Sequence, residues 1–226
     1  MSYFVLGSTG LVGNQILKYI ESVDAVTAIT TLTRRQPKIA SPKVNAIVEE
    51  DSSLWPKVIS QQAQGTKVFF SAFGTTRAAA GSAENFRKID YGINYDAAKA
   101  AKDLGVETFV LISTAGAKTS SPFLYPATKG KLEDDIIALK FPRTIILRPG
   151  VLLGDRDVPK GFLNDLAVRV GSWTKGTSLD FVGHGVDAAD LARVSFDAAQ
   201  EDFDKSAPVV KYLYGGDITK LVRQLK

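Results

Sequence analysis

The sequence predicts an α/β fold, a doubly wound parallel sheet with a small C-terminal cap. Three observations predict it. The chain opens on a short apolar run, Tyr3-Phe4-Val5-Leu6, that ends in Gly7; a helical pattern follows at once; and further β-branched runs alternate with helical stripes as far as Gly150. Alternation of this kind builds a parallel sheet with helices over both faces.

In chain order, the opening strand is followed by Leu11, Val12, Ile16, Leu17 and Ile20 at helical spacing, which reads as strand, glycine turn, helix. Strands are then expected over 25–33, 44–48, 68–72, 106–112 and 144–147, each rich in β-branched or aromatic residues. The clearest helix runs over 85–104, with Ile89, Ile93, Ala97, Ala101 and Leu104 on one stripe and Gly105 as its C-terminal stop. Beyond Gly150 a helix is expected over 187–200 and another from Asp217, where Ile218, Leu221, Val222 and Leu225 share a face. This tail reads as a docked helix, with a membrane-surface or partner contact as the alternative. Too little chain follows Gly150 for a second domain. The expectation is one domain over 1–226, in which 155–226 forms a cap over the C-terminal edge of the sheet.

Composition narrows the chemistry. With 226 residues, 45% of them hydrophobic and 23% charged, the chain has the make-up of an ordinary globular protein. It contains no apolar run near the roughly 18 residues of a membrane-spanning helix. The absence of cysteine excludes disulfides, cysteine-ligated metal and a thiolate nucleophile, and one histidine, His184, is too few for a histidine metal site. His184 lies between two glycines and reads as a loop residue. The net charge of +4 is spread without a basic arm, which argues against a nucleic-acid partner. With a strand starting at Tyr3, a cleaved presequence ahead of the fold is not expected. Chemistry is left to hydroxyls, carboxylates, lysine or a borrowed cofactor.

The segment Gly7-Ser8-Thr9-Gly10-Leu11-Val12-Gly13 follows a strand and opens a helix. Its first glycine permits a tight turn, the second lets the backbone approach a pyrophosphate, and the third allows close packing of helix on strand. Free N–H groups at the helix start then face the phosphates. A phosphate loop of the nucleotide-kinase kind needs Gly-Lys-Ser/Thr, and Gly13 is followed by Asn14. The reading is therefore a dinucleotide-binding Rossmann opening. At the end of the second strand, where an NAD enzyme carries an acid for the ribose 2′-hydroxyl, this chain has Arg34-Arg35. Two guanidiniums suit a 2′-phosphate, so NADP(H) is the expected cofactor, against two solvated loop arginines. Asp51 follows the third strand as an acceptor for the adenine amino group or as a plain turn residue. Ala72, Phe73 and Gly74 end the fourth strand, where Gly74 lets the loop pass close to the adenosine.

The strand ending Ser113-Thr114 is followed by Tyr125 and Lys129, four apart on one helix face. An ordinary phenol is a poor proton donor at neutral pH, but a neighbouring ammonium and a nicotinamide ring stabilise its phenolate. Tyr125 is then a candidate acid that protonates a carbonyl oxygen as hydride arrives, with Thr114, or else Ser113, holding that oxygen. Arg77 is a phosphate or substrate contact or a structural arginine. Asn94 is a proton-relay residue or a capped amide.

This combination resembles the short-chain dehydrogenase/reductase superfamily along essentially the whole chain. More narrowly, Gly74-Thr75-Thr76-Arg77 with Ala80-Gly81, Ser113-Thr114-Ala115-Gly116-Ala117, Tyr125 with Lys129-Gly130, and the run from Arg148 through Gly154-Asp155-Arg156 resemble the Tat-interacting-protein oxidoreductase family. Within it the chain is most similar to the fungal mitochondrial branch. The resemblance implies a bound NADPH, backbone contacts from Pro149, Gly150 and Val151 to the nicotinamide carboxamide, and peripheral attachment to the cytosolic face of the mitochondrial outer membrane. A soluble cytoplasmic protein is the alternative. The chain departs from many superfamily members in carrying Thr114 where they carry serine. The expected function is reduction of a small carbonyl substrate, by a monomer or a homodimer; its alternative is a catalytically silent, NADPH-bound scaffold that recruits a protein partner.

Overall fold

The computed structural model describes residues 1–154 and 185–224. Seven parallel strands form its main sheet: β1 (Ser2–Leu6), β2 (Ala28–Thr33), β3 (Val44–Val48), β4 (Val68–Ser71), β5 (Thr108–Ile112), β6 (Arg143–Arg148) and a last strand, Val209–Tyr214. The spatial order is β3-β2-β1-β4-β5-β6 and then the last strand. Order therefore reverses between β1 and β4, which opens a crevice beyond their C-terminal ends.

Side-chain alternation along the strands splits the core in two. Val5, Val110 and Ile145 face one layer with α1 (Leu11–Ser22), while Phe4, Leu6, Phe109 and Ile146 face the other with α2 (Trp55–Gln62). On the second face Phe4, Phe69 and Phe109 stack in sequence across β1, β4 and β5, with centroid spacings of 4.6 and 5.3 Å. Each fully buried phenylalanine contributes on the order of 1.5–3 kcal/mol through removal from water. The sheet that carries the crevice is accordingly a rigid platform.

The second layer continues through α3 (Arg77–Ala80), α4 (Ala83–Arg87), a π-helical turn (Lys88–Ile93), α5 (Asn94–Asp103) and α6 (Leu124–Ala138). Ser82 caps α4 by accepting the Asn85 N–H, and Gly105 leaves α5 at φ +75°. The helix expected over 85–104 is thus interrupted by a π-helical turn. Asp90 and Asn94 are fully buried, whereas Ile89 and Ile93, expected to face the core, are half-buried.

Leu152–Leu153 (β7) and Val186–Asp187 (β8) pair as a small second sheet, and α7 (Ala188–Gln200) packs on α1. Asp187 caps α7 through the Ala189 N–H. The last strand of the main sheet, β9 (Val209–Tyr214), leads directly into α8 (Gly215–Gln224). Ile218 is fully buried, and Leu221 and Val222 pack on the same core, so the tail is a docked helix. Of the expected cap over 155–226, residues 155–184 lie outside the described residues, and with them His184, Asp155 and Arg156. The described remainder includes an edge strand of the main sheet, so that part of the expected cap completes the sheet layer.

Candidate functional site

The glycine turn sits at the C-terminal end of β1. Gly7 takes φ +88°, and a Cβ there would lie 2.7 Å from the Phe73 nitrogen. A Cβ on Gly13 would lie 2.1 Å from the Gly7 carbonyl oxygen. The turn therefore closes only without side chains at both positions. Gly10 is the N-cap of α1 and offers no side-chain cap. The first backbone bond into the helix is from Asn14 N–H to the Gly10 carbonyl, at 2.9 Å. Leu11, Val12 and Gly13 N–H find no acceptor among the described residues, which leaves a cluster of donors at the positive end of the helix dipole. Thr9 is exposed beside them.

Ser8 is placed differently from a phosphate contact through its hydroxyl. Thr31 donates to the Val5 carbonyl at 2.8 Å, so the 2.5 Å contact between Ser8 and Thr31 uses the Ser8 proton. The Ser8 side chain locks the turn to β2. Arg34 and Arg35 follow β2, both exposed, and neither guanidinium has a partner among the described residues. Asp51 caps the short 3-10 turn Ser52–Leu54 by accepting the Ser53 N–H at 2.9 Å, and the Ser53 side chain, with this backbone bond second, draws its carboxyl below the ordinary value. Arg77 is exposed and has no partner among the described residues.

The loop after β4 is fastened from the π-helical turn. Asn94 accepts the Ser71 hydroxyl at 2.6 Å and donates to the carbonyls of Phe73, Ile89 and Asp90 at 3.1–3.3 Å. Asn94 is a buried structural clamp that satisfies carbonyls the π-turn frees. Asp90 Oδ2 accepts the Thr75 N–H at 2.8 Å. Ala72 and Phe73 are half-buried at the crevice, and the Phe73 ring meets Trp55 edge-on at 5.1 Å.

From the other side comes α6. Lys129 is 4% exposed, and its Nζ lies 2.8 Å from Asp90 Oδ1. Burial works against its charge, but Asp90, with Tyr125 and Glu133 farther along the same helix, overcomes this and holds Lys129 above its ordinary value. Gly74 lies against this pair: a Cβ there would be 2.9 Å from Asp90 Oδ1 and 3.4 Å from Lys129 Nζ. Tyr125, one turn earlier, is 41% exposed and packs its ring on Phe86 at 5.8 Å. Gly130 gives the loop from Ala117 room to cross α6, since its Cβ would lie 2.4 Å from the Lys118 backbone.

Ser113 and Thr114 separate cleanly. The Ser113 hydroxyl is buried and donates to Glu133, whose carboxylate also takes the Arg148 guanidinium. Half-buried Thr114 keeps a hydroxyl with no side-chain bond among the described residues. Beyond β6, the Pro149 carbonyl accepts Ala115 N–H and the Val151 carbonyl accepts Val186 N–H, both at 2.8 Å. Gly150 is half-buried between them. Gly154 brings this segment against the phosphate turn, where an added Cβ would be 2.9 Å from a Leu11 methyl. The crevice thus gathers unpaired backbone donors, a buried ammonium and two hydroxyls, which suits a phosphorylated, ribose-bearing ligand. Sequence reasoning missed Asp90; its signal was a carboxylate in the stripe Phe86, Asp90, Asn94, Ala97.

Comparison with known proteins agrees with this geometry. A family described as NAD(P)H-binding matches residues 7–202. "Protein FMP52-1, mitochondrial" of Scheffersomyces stipitis is 57% identical over 226 residues, covering all of both chains. "Protein FMP52, mitochondrial" of Candida albicans is 53% identical over 228 residues, again covering 100% of each. Among solved structures, MoeE5 in complex with UDP-glucose and NAD superposes with a TM-score of 0.69 at 13% identity, covering 100% of this chain and 82% of that one. A short chain dehydrogenase family protein from Francisella tularensis gives 0.65 at 13%, covering 96% and 98%. At such identities the structural likeness shows the fold.

Proposed function

Because the chain belongs to the NAD(P)H-binding family and is homologous to the fungal FMP52 proteins, we propose that it is an NADPH-dependent reductase of a small carbonyl compound. The observation that carries this reading is the half-exposed Tyr125 phenol one helical turn from a buried, charged Lys129 that lies against Gly74. When bound, the nicotinamide supplies a hydride to the carbonyl carbon. Leu11, Val12 and Gly13 N–H groups hold the pyrophosphate, Arg34 and Arg35 grip the 2′-phosphate, and Lys129 donates to the nicotinamide ribose. Asp51, Ala72, Phe73 and Gly74 border the adenosine, and Pro149, Gly150 and Val151 lie along the carboxamide. Thr114 orients the substrate oxygen, and Tyr125 gives it a proton. Loss of NADPH absorbance with a panel of aldehydes and ketones, abolished by Tyr125→Phe, is the expected result. Turnover that survives the substitution defeats the acid role.

One observation favours a second reading. Lys129 is already neutralised by Asp90, and an ammonium so paired attracts a phenolate less. A catalytically silent NADPH-bound scaffold that recruits a protein partner would then bind the cofactor tightly and oxidise it with no substrate in the panel. The relatives are named mitochondrial, and no helix among the described residues is long and apolar enough to cross a membrane. We propose that the protein is mitochondrial and attaches peripherally to the cytosolic face of the outer membrane, in keeping with the names of its relatives.

A further inference from the structure

The π-helical turn presents Asp90 to both sides of the crevice. Its side chain is 1% exposed; one oxygen accepts the Thr75 N–H and the other lies 2.8 Å from Nζ of Lys129, whose side chain is likewise buried. Gly74 passes over the contact. Asn94 fixes the backbone beneath it by donating to the Asp90 and Phe73 carbonyls. A buried ammonium without a counterion sheds its proton, and the other charged or titratable groups that reach Lys129 are Tyr125 and Glu133 of its own helix. Glu133 is engaged with Arg148. Among the described residues, Asp90 is the charged group of another element that pairs with Lys129. Asp90 Oδ1 meets the ammonium as a charge, 2.8 Å away but outside hydrogen-bond geometry, so the three donors of Lys129 are left for ribose hydroxyls.

We propose that Asp90 is a positioning residue of the cofactor site, setting the Gly74–Thr75 turn with one oxygen and the protonated Lys129 with the other. The role rests on the reading of Lys129 as a ribose anchor. It ties the two walls of the crevice together, the β4 loop through Thr75 and α6 through Lys129. Asparagine at this position keeps an acceptor for Thr75 but removes the counterion.

The test measures NADPH affinity by calorimetry on the full chain at pH 7 and pH 9.5. The parent is expected to change by less than about threefold between them, because its lysine stays charged. Asp90→Asn is expected to weaken binding about tenfold at pH 7 and by a further tenfold or so at pH 9.5, as the unpaired lysine loses its proton. An Asp90→Asn variant whose affinity follows the parent at both values overturns the role alone. A parent that binds neither NADPH nor NADH overturns the cofactor reading, and the role with it. If Asp90→Asn does not fold, the double variant with Lys129→Met leaves no charge buried alone. It is expected to bind about tenfold more weakly than the parent and equally at both pH values; parental affinity in that double variant overturns the proposal.

Discussion

Gly13 stands so close to Gly7 that a Cβ added to it would lie 2.1 Å from the Gly7 carbonyl oxygen, far inside contact distance. The obstacle is backbone, so no rotamer change relieves it. Gly13→Ala is expected to cost about 1–3 kcal/mol or more through overpacking and to abolish binding of either pyridine nucleotide. Gly10→Ala, whose Cβ would meet the same oxygen at 3.3 Å, should fold and weaken binding less. Thermal denaturation and calorimetry on the two variants check the contrast; equal behaviour would mean that the turn is not closed as described.

Arg34 and Arg35 stand exposed past β2 with no partner among the described residues, so replacing them should leave stability within about 0.5 kcal/mol of the parent. The double substitution to alanine is expected to weaken NADPH by about 1–3 kcal/mol while NADH changes little, because charge-assisted bonds to a 2′-phosphate are lost only for the former. Equal weakening of both coenzymes would contradict the assignment.

The glycine turn and the Tyr125–Lys129 pair were legible because each is a local pattern: a strand, a set of glycines and the start of a helix in one short stretch, or two side chains one turn apart. Asp90 was not, since its partners Thr75 and Lys129 come from separate elements. The inward positions are Asp90 and Asn94 in place of Ile89 and Ile93, and a stripe traced through apolar residues alone passes over a buried carboxylate and amide. The helix α2 went unassigned because Pro56 near its start and three polar residues near its end blur its stripe. Strand β9 was missed because, as an edge strand, its Val209-Val210-Lys211-Tyr212 run mixes exposed and half-buried positions without clean alternation.

Glu107 joins Lys67, ahead of β4, to Lys205, ahead of β9, each at 2.6 Å. Hydrogen bonds from Lys205 and Lys67 lower its carboxyl from 4.5 to about 2. A depressed carboxyl stabilises the fold above its ordinary value, and the contribution is lost as pH falls from about 4.5 through about 2. Because the group is partly solvated, its worth is below about 1 kcal/mol. Glu107→Gln should therefore lower the melting temperature slightly at pH 7, less in high salt, and not at all at the acid end of that window.

Ser113 and Thr114 are adjacent in sequence yet spend their hydroxyls differently, and this separates structure from chemistry. Ser113 donates to a Glu133 carboxylate that is itself buried and shared with Arg148. Ser113→Ala leaves that carboxylate short of a donor, so a loss of about 1–3 kcal/mol in stability is expected with NADPH affinity retained. Thr114 has no such engagement among the described residues. Thr114→Val keeps its shape, so stability should hold while any carbonyl-dependent oxidation of NADPH falls about 10²-fold, the scale of losing one oxyanion donor. Thr114→Ser, which removes only the methyl, should restore turnover. If instead Ser113→Ala removes turnover and Thr114→Val does not, the substrate oxygen is held from the opposite face of the strand and Thr114 loses its role.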